Sequence, residues 1–347
     1  MLIVTNFVNF PERWTSADGT TGRTEFARSV SEFLKFRSDP SSIFLVNGAL
    51  RVVLELSLKQ ILPFHARRPV IAVDMILRRP NTIRANLSVV AKRVAFRYVD
   101  YFLHYFKDLR ALESVYGIGP ARSGFVDFKA NLWNRRVEGA RPQGEYVLCF
   151  GRSLRDFDTF FDAIQSAGCP GAIVDPQSAL VWEHGSRFTK PLSALPSNVR
   201  VLDHNQTNES QAELLEGARI VVVPILKGSL VSAGISTILN AMILGKCVVA
   251  SAGPGVTDLF NHQILSVPPE DPVALASTIK KAWADEDLRR RTGQAGLEYA
   301  LRCGSEQDFY GRVIDAVVKW RSEHRPEHDL ESGRRGTTGI LANGFAP

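Results

Sequence analysis

The stretch RIVVVPILKGSLVSAGISTILNAMILGKCVVASAGPGVTD, residues 219–258, admits few folds. It opens on a continuous apolar run, 220–225, closed by the turn Lys227-Gly228-Ser229. A run that is apolar at every position has no face for water, so it predicts a strand buried inside a parallel sheet. Ser232 then predicts a helix N-cap, and Ile235, Ile238, Leu239, Met242 and Ile243 share one face at helical spacing. Gly245 stands at the C′ position, a second buried strand follows over 246–250, and the loop Ser251-Ala252-Gly253-Pro254-Gly255 closes the unit. The order is that of a right-handed βαβ unit with small-residue loops at the carboxyl ends of its strands.

A helix that starts in such a loop presents free backbone N–H groups and the positive end of its dipole. Ser232, Ala233 and Gly234 have little bulk, so a phosphate or diphosphate can approach the backbone. One helix terminus supplies only about 0.3–2 kcal/mol to an anion, so cationic side chains must contribute. The plain alternative is an ordinary capped helix without a ligand.

At roughly 150 residues per domain, a chain of 347 suggests two domains. Strands are predicted at 2–7, 43–46, 70–74 and 101–104, and helices at 23–36, 50–62, 81–98 and 109–116, with a polar loop over 11–22. Residues 134–144, NRRVEGARPQG, have the composition of a linker. A second alternation starts with a strand at 146–150 and a helix at 156–166. Strands at 171–174 and 199–202 and a helix at 210–216 lead into the unit described above, and helices run from Asp271-Pro272 to about 321. The expected fold class is therefore α/β, two Rossmann-like domains with parallel sheets. The first is expected over 1–138 and the second over 145–322, with a polar tail, 323–347, whose composition predicts disorder.

An apolar content of 45% with 22% charged residues is that of a soluble globular protein. Four scattered cysteines, none in a CxxC pair, argue against a zinc site or a disulfide framework. No apolar run approaches 18 residues, and the opening MLIVTNFVNF reads as a strand rather than a signal peptide. A cytoplasmic protein is expected. The net charge of +6 favours anionic partners.

Gly151-Arg152 follows the first strand of the second half, so its loop should share an edge with the Ser232 loop. Arg152 and Arg155 can then aim planar guanidinium forks at one anion. Two cations at a helix start oppose its dipole unless an anion compensates.

The blocks YVLCFGRSLRDFDTF, VRVLDHNQTNESQAELLEGARIVVVPIL, SAGISTILNAMILGKCVVASAGPGVTDLF and LSVPPEDPVALASTIKKAWADEDLRRR occur in that order. Together, over about 146–318, they resemble the donor-binding domain of GT-B glycosyltransferases of the retaining, group-1, family-4-like type, in a divergent bacterial branch. The first half is similar to the acceptor domain of that fold in its α/β alternation. The resemblance implies that Gly151 and Arg152 hold the donor diphosphate and that Val201 and Leu202 pack the nucleobase. Ser232, Ala233, Gly234 and Ile235 would meet the sugar and phosphates, and Asn240 the ribose. It departs from the family pattern in three places. Ser232 and Asn240 stand where the family has a pair of glutamates, and Phe157 where it has a lysine, for which Arg155 can substitute. The implied activity is transfer from a nucleoside-diphosphate sugar to a saccharide or lipid-linked acceptor, in bacterial surface or exopolysaccharide synthesis, with no cofactor and no metal. The catalytic candidates are Arg152 and Arg155 for leaving-group charge, and Asp74 and His104, each at a strand end, as bases. A nucleotide-sugar-binding scaffold whose site has decayed is the alternative outside catalysis. A GT-B epimerase or phosphorylase is the alternative within it. No GxGxxG follows either leading strand, which argues against a dinucleotide oxidoreductase. Nucleic acid is not an expected partner. The basic segment 78–97 suggests peripheral contact with an anionic membrane at its inner face, against the plain reading of a helix with a basic outer side.

Overall fold

Buried apolar strands form the frame of both halves. The computed structural model describes residues 1–59, 67–176 and 185–324. The first sheet contains β1 (Leu2–Thr5), β2 (Arg13–Thr15), β3 (Thr21–Phe26), β4 (Ser42–Asn47), β5 (Val70–Val73), β6 (Tyr101–His104) and β7 (Ser123–Phe125). Its order is β2-β3-β1-β4-β5-β6-β7, parallel except for the β2–β3 pair. The helices α1 (Val30–Leu34), α2 (Leu50–Lys59), α3 (Ile83–Phe96) and α4 (Arg110–Tyr116) connect its strands. β1 and β5 are buried at every position, as a sheet covered on both faces requires.

The second sheet is wholly parallel, in the order β10-β9-β8-β11-β12-β13. Its strands are β8 (Tyr146–Cys149), β9 (Gly171–Val174), β10 (Val199–Leu202), β11 (Ala218–Val223), β12 (Cys247–Ser251) and β13 (Leu265–Val267). α5 (Phe157–Ala167), α6 (Asn208–Gly217), α7 (Ile235–Ile243), α8 (Pro272–Ala284), α9 (Glu286–Cys303) and α10 (Glu306–His324) complete the chain. The winding direction reverses between β8 and β11. In an open α/β sheet, the crevice beyond the carboxyl ends of such a strand pair is where ligands bind. The architecture is two parallel-sheet Rossmann-like domains, as expected.

Two segments depart from the sequence reading. Residues 23–36 were expected as one helix, but 21–26 form strand β3, paired between β2 and β1, and the helix starts only at Val30. A capping box sets that start: the Ser29 hydroxyl accepts from the Glu32 N–H, and the Glu32 carboxylate accepts from the Ser29 N–H. Gly22 completes the β2–β3 hairpin, where a Cβ would lie 2.1 Å from the Trp14 ring. The expected linker, 134–144, is docked: the N–H of Val137 donates to Ile243 and that of Arg141 to Gly245.

The last helix of the expected second unit packs on the first. In α10, Tyr310 donates to the Val8 carbonyl, Arg312 to that of Asp127 and Arg321 to that of Ser41. One hydrophobic core therefore runs through both sheets. The expected tail, 323–347, opens inside α10, and 325–347 lie outside the described residues.

Candidate functional site

At the reversal point, a crevice of about 460 Å³ opens between the two sheets. The second domain contributes the loops after β8 and β10 and the start of α7, and the first contributes Asp74 and Asn131.

α7 begins at Ile235, with Gly234 as its N-cap at φ 95° and no side chain capping it. The expected cap, Ser232, lies two residues upstream, buried, its hydroxyl without a hydrogen-bond partner among the described residues. Glycine is required at 234 on two counts. The conformation is left-handed, and a Cβ there would stand 2.7 Å from Val223 and 2.9 Å from Arg155. The uncapped terminus, with Ser236 and Thr237 in its first turn, faces the crevice.

Arg155 forms the floor. It is 1% exposed. Its Nε donates to the Phe150 carbonyl at 2.9 Å, one terminal nitrogen to the Ser153 carbonyl at 3.1 Å, and the other to the Thr237 hydroxyl at 2.9 Å. Burial lowers its pKa to about 10, which leaves it a cation at neutral pH. Among the described residues no carboxylate pairs with it. The adjacent carboxylate, Asp156, caps α5 and is gripped by Arg187 through two hydrogen bonds, at 3.0 and 2.6 Å. Gly151, at φ 108°, lets the loop close over Arg155, because a Cβ there would lie 2.4 Å from a terminal guanidinium nitrogen. Arg152 is exposed at the rim.

Across the crevice, Asp74 ends β5 in a left-handed conformation, φ 49°. It is partly exposed, and burial raises its carboxyl pKa to about 6. The Tyr105 phenol behind it is pushed well above its ordinary range, by burial first and then by the Asp74 charge.

Of the expected site residues, the fold brings Asp74, Gly151, Arg152, Arg155 and Gly234 to the crevice. His104 points to the other face of its sheet. It lies between the rings of Phe102 and Phe106, its Nε2 is 3.3 Å from the Ser123 hydroxyl, and burial lowers its pKa to about 4. Asn240, expected at a ribose, is fully buried. Its Oδ1 accepts from the N–H groups of Asn131 and Leu132, and its Nδ2 donates to Gln211. Ile235 belongs to the core, and Ala233 lines a separate cavity of about 50 Å³. Val201 and Leu202 do not line the crevice, which begins two residues on, at His204.

Of the residues missed by the sequence reading, one segment, DHNQTNESQ after β10, supplies four: His204, Gln206, Thr207 and Gln211. The signal available was a polar loop at the same sheet edge as the other two. The Nδ1 of His204 accepts the Gln206 N–H at 3.2 Å, which leaves the proton on Nε2. Nε2 is buried without a partner among the described residues, and the ring stands edge-on to Phe150 at 5.5 Å. Asn131 ties the first domain to α7, donating from Nδ2 to the Ser236 hydroxyl at 2.7 Å.

Residues 193–299 match the family model "Glycosyl transferases group 1". That match covers less than a third of the chain. The matched residues include the loop after β10 and the start of α7, which form part of the crevice wall; the Gly151–Arg155 loop lies outside the match. No curated protein sequence matches the chain. Among solved structures, sucrose-phosphate synthase from Thermosynechococcus elongatus superposes with a TM-score of 0.63 at 15% identity, over 93% of this chain and 89% of that one. HepE from Anabaena, solved in complex with UDP-glucose, gives 0.54 at 14%, over 95% and 99%. TarM from S. aureus, solved with fondaparinux, α-GlcNAc-glycerol and UDP, gives 0.57 at 13%, over 87% and 63%. These likenesses establish the fold.

Proposed function

We propose that the crevice binds a nucleoside-diphosphate sugar and that the chain transfers the sugar, with retention, to a saccharide or lipid-linked acceptor in bacterial surface or exopolysaccharide synthesis. One observation carries the reading. Among the described residues Arg155 is a buried cation met only by neutral oxygens, beside an uncapped helix N-terminus, and a buried charge demands a counter-charge. A diphosphate supplies it. As the glycosidic bond breaks, negative charge grows on the leaving diphosphate, where Arg155, Arg152 and the N–H groups of α7 stabilise it. The acceptor hydroxyl attacks on the face the diphosphate leaves, and its proton passes to the departing phosphate or to Asp74, whose raised pKa suits a base. No metal or cofactor enters the proposal. The uridine nucleotide bound in the HepE structure supports a uridine-type donor here. The proposed location is the cytoplasm.

A second reading, a binding scaffold without turnover, draws on Ser232 and Asn240. Both stand where the family has glutamates, and neither reaches the crevice. Calorimetric titration with UDP, GDP and dTDP, followed by product analysis with the matching sugar nucleotides and a membrane extract as acceptor source, tests both. Binding and a product of retained anomeric configuration are expected. Absence of binding by any nucleoside diphosphate overturns the proposal, and binding without turnover selects the scaffold.

A further inference from the structure

The outer side of α3 has a composition that its packing does not explain. Val89, Ala95 and Phe96 point inward and are buried. Ile83, Leu87, Val90 and Val94 are 83, 68, 60 and 46% exposed. Spaced by four, three and four residues, they fall within a sector about 60° wide at 3.6 residues per turn, opposite the buried side. The helix therefore has two apolar faces, one of them in water, where a surface helix ordinarily has one. The outer crest is flanked by cations, with Arg84 on one side and Arg93 and Arg97 on the other, all exposed. Residues 75–98 contain Arg78, Arg79, Arg84, Lys92, Arg93 and Arg97 and no carboxylate. Among the described residues none of these six cations forms an ion pair.

We infer that α3 docks the protein on an anionic lipid bilayer, with Ile83, Leu87, Val90 and Val94 seated among the acyl chains and the flanking arginines on the headgroups. An apolar crest with cationic shoulders is the shape of an interfacial helix, and arginine stems carry their charge outward from such a seat. Charge complementarity decides the occupant. A second copy meeting this helix across a two-fold axis would set Arg84, Arg93 and Arg97 against the same cations with no carboxylate to separate them, whereas a bilayer rich in anionic lipid meets every one of them with the opposite sign. The segment leading to α3 starts at Asp74 in the crevice and crosses the domain seam, where Arg78 pairs with Ser229 and the Arg79 N–H donates to the Gly228 carbonyl at 3.1 Å. The short segment 75–82 thus joins α3 to a residue that lines the crevice. The docking itself does not depend on the donor reading.

The test is co-sedimentation of the full chain with vesicles of phosphatidylcholine alone and of phosphatidylcholine mixed with phosphatidylglycerol. Binding to the mixed vesicles only is expected, weakened by added salt. The double variant Leu87→Ser, Val90→Ser and the triple variant Arg84→Gln, Arg93→Gln, Arg97→Gln should each lose at least tenfold in partition while keeping the parental thermal midpoint and circular dichroism. Equal binding to both vesicle types, or undiminished binding by either folded variant, overturns the inference. So does failure to bind vesicles accompanied by a concentration-dependent dimer that Leu87→Ser, Val90→Ser dissolves, which would assign the crest to a second copy.

Discussion

Arg155 holds a formal charge where its surroundings offer two carbonyls and a hydroxyl. Arg155→Leu removes that charge and leaves the Phe150 and Ser153 carbonyls without their donor, at about 1–3 kcal/mol for each buried group left unpaired. The variant is expected to be less stable in urea and to lose the stabilisation that a bound nucleoside diphosphate gives the parent protein. Arg152, exposed at the rim, separates the two effects. Arg152→Ala should leave the unfolding free energy measured in urea within about 0.5 kcal/mol and reduce turnover at least tenfold, about 1.4 kcal/mol in the barrier. Unchanged turnover in that variant would remove it from the site. Asp74 carries the pH dependence. Its folded pKa, about 6, lies above the ordinary 3.8, so the protonated form favours the fold. That contribution is complete below about pH 3.8 and is lost as pH rises through about 6. At neutral pH the charged carboxylate therefore opposes folding, by roughly 3 kcal/mol at most and less because its side chain keeps some contact with the crevice. Asp74→Asn, which tolerates the left-handed backbone, should raise the thermal midpoint at neutral pH, with the gain shrinking toward pH 4. If Asp74 is the base, the same change lowers turnover and removes an acid limb near pH 6. A midpoint gain that does not vary with pH would sink this account.

At the scale of elements, the parts of the fold that were legible were those where one signal acted alone. β11, α7 and β12 announce themselves because continuous apolar runs and a single helical face permit no other arrangement. The start of α7 was read wrongly because Ser232 is a good cap by residue type, while Gly234 is chosen by crowding that no local pattern reveals. The same holds for β3. A polar strand one place in from the sheet's edge carries little apolar signal, so Thr21–Phe26 merged in the sequence with the short helix behind it. Asn240 was assigned by its position along the chain, but its hydrogen bonds run to a loop 109 residues away, information that no spacing contains. The conformation of Gly234 gives a direct check on the helix terminus. Gly234→Ala places a Cβ against Val223 and Arg155 in a left-handed backbone, which costs about 1–2 kcal/mol from conformation alone. A lowered thermal midpoint together with a nucleoside-diphosphate affinity reduced more than tenfold is expected. An affinity loss no larger than that of a substitution elsewhere in α7, such as Met242→Leu, would show that the terminus does not meet the ligand.

For the molecule as a whole, the question is whether two sheets behave as two units. The sequence suggested a boundary at the charged stretch 134–144 and a second domain closed by its own helices. The structure instead returns the final helix to the first sheet. There Phe309 lies 6.0 Å from Phe7, 5.7 Å from Tyr105 and 5.3 Å from Phe128, ring to ring, and is 1% exposed. Nothing local foretells this, because an amphipathic helix reads the same whichever sheet it covers. A core shared by both sheets couples their unfolding, so calorimetry of the parent chain should give one transition whose van't Hoff and calorimetric enthalpies agree. Phe309→Ala opens a cavity inside the aromatic cluster, and large-to-small changes of this kind cost about 3–5 kcal/mol. That loss falls on the contact between α10 and the first sheet and leaves the β8–β13 core intact, so the single transition should divide in two, with the first sheet melting earlier. A uniformly lowered single transition would mean that the docked 134–144 segment and the Asn131–Ser236 link, rather than α10, hold the halves together.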